Sequence, residues 1–180
     1  MTITPPRAPQ RTVQPGRPPT VKRGAFASAA VLVIAVGSYI APWEGKRNTS
    51  YNDIVGIGTV CYGDTRPEVV ARGWTIPYTD AECMAMLNDE VRHFAAGLER
   101  CISPNVTMTP KQQAALLSWS YNVGTKAACD STLVRKLNAG EPASSWCPQL
   151  LRWNRAGGKP VQGLTNRREA EYAACMEGAN

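Results

Sequence analysis

The chain has 180 residues, enough for one compact domain plus an extension, and its formal net charge is +6. Five basic residues and no acid stand in residues 1–43, so the remaining 15 basic and 14 acidic side chains leave the body nearly neutral. A duplex-binding domain carries a basic face of its own, and with the excess confined to the tail no nucleic-acid partner is expected.

Residues 1–23 hold six prolines and no apolar period, which predicts an extended or disordered Pro/Arg-rich tail. Lys22 and Arg23 then precede an uncharged run over residues 24–41. Its strong apolar residues are Phe26, Val31, Leu32, Val33, Ile34, Val36, Tyr39 and Ile40, and the other ten positions are Ala, Gly or Ser. About twenty apolar residues span a bilayer as a helix, and basic residues on the N-terminal side alone put that side in the cytoplasm. The run is read as an uncleaved, weakly held signal-anchor. Cleavage after Ala35-Val36-Gly37 is a poor alternative, Pro42 disfavours cutting after Ala41, and a buried core helix is disfavoured by the basic flank.

Residues 42–180 are read as the folded domain. Ile54-Val55-Gly56-Ile57-Gly58-Thr59-Val60 predicts a short twisted strand or hairpin. Thr79-Asp80-Ala81-Glu82 is a capping box that opens a helix to about Arg100, with Cys83, Leu87, Val91, Phe94 and Leu98 on one face. Thr109-Pro110-Lys111-Gln112 opens a second helix that stops near Gly124. A short helix is expected over residues 132–138, ended by Gly140, and a last one from Asn166 towards Met176. Trp119, Trp146 and Trp153 are read as core, and His93 as a surface residue. The six cysteines (Cys61, Cys83, Cys101, Cys129, Cys147, Cys175) include no C-x-x-C pair, so no metal site is expected. Their even number favours disulfides, and spacing does not choose among the pairings.

Glu44, Asp53 and Thr59 open this domain with the spacing Glu-x8-Asp-x5-Thr. Glu44 stands beside Trp43 at the end of the apolar run, where an apolar wall would favour a protonated acid, while Asp53 lies in a more polar stretch. Glycoside cleavage needs such a pair across the scissile bond. With Glu44-Gly45, Tyr51-Asn52-Asp53 and Thr59, the chain resembles the phage-type lysozymes, glycoside hydrolase family 24. The likeness continues through Leu117-Ser118-Trp119-Ser120-Tyr121-Asn122-Val123-Gly124, Ser131-Thr132-Leu133, Arg152-Trp153, Ala156-Gly157-Gly158-Lys159 and Gly163-Leu164-Thr165-Asn166-Arg167-Arg168. It covers nearly all of residues 43–180 and is nearest to lambdoid-phage endolysins with a signal-arrest-release segment.

The resemblance implies an α+β, mostly helical, lysozyme-like fold: a small N-terminal β lobe, a long connecting helix and a helical C-terminal lobe. It implies hydrolysis of the β-1,4 bond between N-acetylmuramic acid and N-acetylglucosamine, with Glu44 as general acid, Asp53 activating the attacking water and Thr59 positioning it. Inversion of this kind needs carboxyls roughly 6.5–9.5 Å apart. Thr165 and Arg168 are substrate-binding candidates, and Arg167 with Arg168 is otherwise read as capping and solvating a helix. No cofactor is implied. The expected partners are peptidoglycan glycan strands and the host inner membrane, through residues 24–41, and the chain is expected to be a monomer. It would sit as a single-pass anchor with its catalytic domain in the periplasm until release.

One departure stands out: Asp64, in Cys61-Tyr62-Gly63-Asp64-Thr65, occupies a position where relatives usually show histidine. Two other readings stay open. One is a lytic transglycosylase, which needs no water-activating base. The other is a non-catalytic, membrane-anchored wall-binding module.

Overall fold

The computed structural model describes residues 39–53 and 56–177. The tail, most of the apolar run and the first two residues of the expected 54–60 strand lie outside the described residues. Among those described, no helix is long and apolar enough to cross a membrane.

Strand β1 (Arg47–Asn52) pairs antiparallel with β2 (Gly58–Cys61). Strand β1 precedes the strand expected at 54–60, and its Arg-Asn-Thr-Ser-Tyr-Asn shows no apolar alternation to announce it. It is an edge strand held by its partner and by side-chain bonds. The Ser50 hydroxyl donates to the Val70 carbonyl at 2.8 Å, and the Asn48 amide donates to the Tyr78 carbonyl at 2.7 Å. Four steps of β1 between Arg47 and Tyr51 face two steps of β2 between Cys61 and Thr59, so the strand is bulged and bends. A short helix, α1 (Pro67–Gly73), closes on the hairpin. It ends on Gly73, where an added Cβ would meet Ser50 Oγ at 2.3 Å, so only glycine lets helix and strand approach this closely.

The capping boxes form as read. Thr79 and Glu82 open α2 (Asp80–Glu99), and Thr109 and Gln112 open α3 (Pro110–Val123). Gly124, at φ 85°, ends α3 in a conformation that glycine adopts without strain. Then follow α4 (Thr125–Cys129), α5 (Thr132–Asn138), α6 (Ala143–Trp146), a 3-10 turn over Cys147–Arg152, a two-residue hairpin of β3 (Arg155–Ala156) and β4 (Lys159–Pro160), and α7 (Gln162–Glu177). The last helix begins four residues before the expected Asn166.

Helix α2 joins the two cores. Its Cys83 packs with Val60, Cys61, Val70 and Tyr78 under the hairpin. Its Leu87, Val91, Ala95 and Leu98 pack into a larger core with Leu116, Leu117, Trp119, Leu133 and Leu150. Phe94, expected on the same face, is only half-buried. Trp119 and Trp146 are core residues, and the half-buried Trp153 stacks edge-on against Trp119. This is the α+β, mostly helical, two-lobed lysozyme-like fold.

The cysteines pair as Cys61–Cys83, Cys101–Cys129 and Cys147–Cys175. Loops of this length give each bridge about 3 kcal/mol in a chain-entropy picture. The last residues of the apolar run belong to the helical core: Ile40 is fully buried in it, and Tyr39 and Ala41 pack against it.

Candidate active site

Glu44 lies four residues after the Ile40 anchor and three before β1. Its immediate partner is a cation. Arg167 Nη1 donates to Glu44 Oε1 at 2.7 Å, and the Glu44 side chain keeps 23% of its surface exposed. The sequence reading gave Glu44 an apolar wall; the structure gives it a guanidinium, brought by α7 from more than a hundred residues away.

Arg167 is itself fixed. It is buried, its Nε donates to Glu171 Oε1 at 3.2 Å and its Nη2 to the Ser118 carbonyl at 3.0 Å. Arg168 lies on the other side of Glu171, with Nε 3.0 Å from Oε2 as an ion pair not aligned as a hydrogen bond, and its Nη2 reaches Asn122. Burial pushes the Arg168 guanidinium down to about 10. Burial also pushes the Glu171 carboxyl up, against the pull of Arg168, Ser118 and Arg167. A buried charge persists only when paired. The four charges Glu44, Arg167, Glu171 and Arg168 form one such compensated set. Arg167 and Arg168 are therefore structural members of the site, and the reading that they solvate a helix surface is corrected. Arg168 is fully buried, so in this arrangement it offers no surface to a glycan. Thr165, half-buried in the first turn of α7, accepts from the Asn154 amide at 3.2 Å.

Asp53 and Thr59 sit on the β1–β2 hairpin and both bond to Ile57. Asp53 Oδ1 accepts from the Ile57 N–H at 2.8 Å, and the Thr59 hydroxyl donates to the Ile57 carbonyl at 3.0 Å. The Asp53 N–H also donates to the Ile57 carbonyl, at 2.9 Å. The turn thus orients both side chains from one residue. Thr59 is buried and Asp53 half-buried.

Beside the hairpin opens a cleft of about 420 Å³, lined by Asp64, Thr65, Arg66, Met86, Asp89, Glu90, His93 and Phe94. Asp64 is buried and bound by Arg66, with Nη2 to Oδ2 at 2.6 Å. Burial, reinforced by the Asp64 and Glu44 carboxylates, pushes the Glu90 carboxyl up, against the pull of the Tyr121 hydroxyl and Arg66. Neither Glu90 nor Tyr121 was read as functional from sequence. A carboxylate inside the apolar period of α2, one turn from Leu87 and next to Val91, was the available signal.

Comparison with known proteins places the fold that carries these residues. Residues 41–171 match the family described as phage lysozyme. The chain is 40% identical over 158 residues to the SAR-endolysin of Bacteriophage PS119, covering 88% of this chain and 90% of that one. It is 37% identical over 168 residues to the SAR-endolysin of Enterobacteria phage P21, covering 89% and 98%. Among solved structures it resembles the endolysin from Escherichia coli O157:H7 phage FAHEc1, with a TM-score of 0.69 at 28% identity over 86% of this chain and 96% of that one.

Proposed function

From the premise that this chain belongs to the phage lysozyme family, whose members degrade peptidoglycan, we propose that it hydrolyses the β-1,4 bond between N-acetylmuramic acid and N-acetylglucosamine, with Glu44 as the proton donor. The observation that carries this reading is the grip of Arg167 on Glu44 Oε1. A general acid must present its proton along one direction. A buried guanidinium, itself locked by Glu171 and the Ser118 carbonyl, fixes the carboxyl plane and leaves Oε2 as the oxygen that carries the proton to the glycosidic oxygen. Asp53, oriented by the Ile57 N–H, accepts a proton from water, and that water attacks the anomeric carbon from the opposite face. Thr59 holds the same water. The C–O bond to the leaving sugar breaks with its electron pair going to the oxygen that Glu44 protonates. The anomeric centre inverts, and the new hydroxyl comes from water. Thr165 is the remaining candidate for a glycan contact, and Arg168 acts through Glu171.

Residues 24–41 are proposed to hold the inactive enzyme in the host inner membrane, tail in the cytoplasm and body in the periplasm. The names of the relatives support this, and so does the placement of Tyr39 and Ile40. Ile40 cannot occupy the hydrocarbon and the protein core together. The Ser118 hydroxyl lies 2.7 Å from the Tyr39 carbonyl and 2.6 Å from Glu171 Oε1, so the end of the apolar run touches the group that fixes Arg167. Leaving the bilayer would seat Ile40, complete that network and orient Glu44. Lysis by full-length protein held in energised membrane vesicles should be far below that of the released protein, and equal rates would end this part of the reading.

The chemistry is tested by digesting peptidoglycan in ¹⁸O-water. Hydrolysis places the label at the new N-acetylmuramic acid reducing end, and Asp53→Asn slows its appearance. Unlabelled 1,6-anhydro ends would show a transglycosylase instead.

A further inference from the structure

The Tyr121 hydroxyl oxygen lies 3.0 Å from the Tyr62 carbonyl and 3.1 Å from Glu90 Oε2. A phenol has one proton to give. Burial, with the Glu90 and Glu44 carboxylates nearby, pushes Tyr121 up, so it stays a phenol. A carbonyl only accepts, and an ionised carboxylate only accepts. With Glu90 ionised, one of the two contacts sets lone pairs against lone pairs at hydrogen-bond distance. A proton on Glu90 completes both: Glu90 donates to Tyr121, and Tyr121 donates to Tyr62.

The surroundings favour that proton. From the segment after β2, Asp64 and Arg66 face Glu90, but Arg66 is already bound to Asp64. From the segment before β1 comes the Glu44 carboxylate. On its own helix, Asp89 and His93 line the same cleft. The contrast is Ser118, whose single proton also meets two acceptors, the Tyr39 carbonyl and Glu171. There two guanidiniums flank the carboxylate and favour its charged form against burial. Among the described residues, no guanidinium pairs with Glu90, and Arg66 acts on it only at a distance. The Asp64 carboxylate also favours the proton, because its negative charge opposes a second one on Glu90.

We propose that Glu90 is a positioning residue that works as a neutral carboxyl, closing a Glu90–Tyr121–Tyr62 relay between the two lobes, and that loss of its proton to solvent opens the relay and lowers activity on the alkaline side. The relay ties α2 and α3 to the residue next to Cys61, at the end of the strand that presents Thr59. Its activity arm rests on the hydrolase reading above; its structural arm does not.

The test uses the released, disulfide-intact protein. Carboxyl ¹³C NMR of glutamate-labelled protein, assigned by the signal lost in Glu90→Gln, should show Glu90 titrating above the exposed glutamates as a class. The general acid alone gives kcat/KM an alkaline limb of one ionisation. The wild-type limb should fall more steeply than one ionisation allows. Glu90→Gln, whose amide donates to Tyr121 at every pH, should fall as a single ionisation. Tyr121→Phe should fall as a single ionisation too, from a kcat/KM about tenfold lower, the size expected for one lost buried hydrogen bond. A Glu90 midpoint within or below that of the exposed glutamates, or the same limb in all three proteins, would overturn the proposal. If no protein cleaved glycan at all, the hydrolase reading would fail, and the NMR midpoint would still decide the relay.

Discussion

The helical lobe holds Glu44 through buried charge, whereas the β lobe holds Asp53 and Thr59 through a single turn. On the helical side, twenty-one of the described residues form a continuous buried core, and Arg167, Arg168 and Glu171 are buried with almost no exposed surface. On the β side, five of the described residues are buried under a bent two-stranded hairpin, and one disulfide fastens them to α2. Glu44, the proposed acid, is therefore oriented by a buried network of paired charges. Asp53 and Thr59, the pair proposed to handle water, ride on a lobe fastened by one disulfide and a few hydrogen bonds. A cleft enzyme needs both: a fixed proton donor, and an opposing wall that can admit a long glycan.

The largest effect should follow from breaking the rigid side. Arg167→Met leaves Glu171 with one guanidinium instead of two and frees Glu44. Removing one partner of a buried pair costs about 3–5 kcal/mol, read as a fall in the denaturant midpoint, with peptidoglycan cleavage reduced even where the protein remains folded. Loss of stability without loss of specific activity would separate Arg167 from the orientation of Glu44.

The second prediction sharpens the contrast between lobes. Replacing Cys61 and Cys83 by alanine should remove about 3 kcal/mol, and native-state hydrogen exchange should rise over β1 and β2 while α3 keeps its protection. Uniform loss of protection in both lobes would show that the β lobe does not open separately.

A smaller effect belongs to the junction. Thr79→Ala removes the cap of α2 and should cost about 1 kcal/mol by thermal unfolding. The Thr79 N–H, with Arg72 and the Thr79 hydroxyl, holds the Glu82 carboxyl down at about 2. A lowered carboxyl contributes stability that is present above the ordinary carboxylate range and is lost as pH falls towards about 2. The Glu82→Gln protein should therefore show a shallower acid destabilisation than wild type over that window.

Much of the fold was legible because its signals are local. Thr79 with Glu82, and Thr109 with Gln112, mark two helix starts that the structure reproduces, and residues 132–138 form the expected short helix. What is held by partners was not legible. Strand β1 is polar and exists through pairing with β2. The 3-10 turn over Cys147–Arg152 and the start of α7 at Gln162 follow from packing rather than from propensity. The disulfides join residues 22 to 28 apart, and their choice depends on where the helices lie. At the candidate site, the order Glu44, Asp53, Thr59 is visible in the chain. The cation that fixes Glu44 is not, because nothing near Glu44 in sequence announces Arg167. The burial of Glu171 and the half-burial of Glu90 follow from helix packing, which no local signal announces for Glu171.

The most direct test of the proton-delivery reading is the turnover of Glu44→Gln on purified peptidoglycan, measured on released protein whose disulfides and near-ultraviolet dichroism match wild type. Glutamine keeps the shape and can still meet Arg167 but cannot give up a proton, so the rate should fall by about 10²–10⁴-fold, the usual contribution of a positioned general acid. A folded Glu44→Gln protein that clears cell wall at close to the wild-type rate would contradict it.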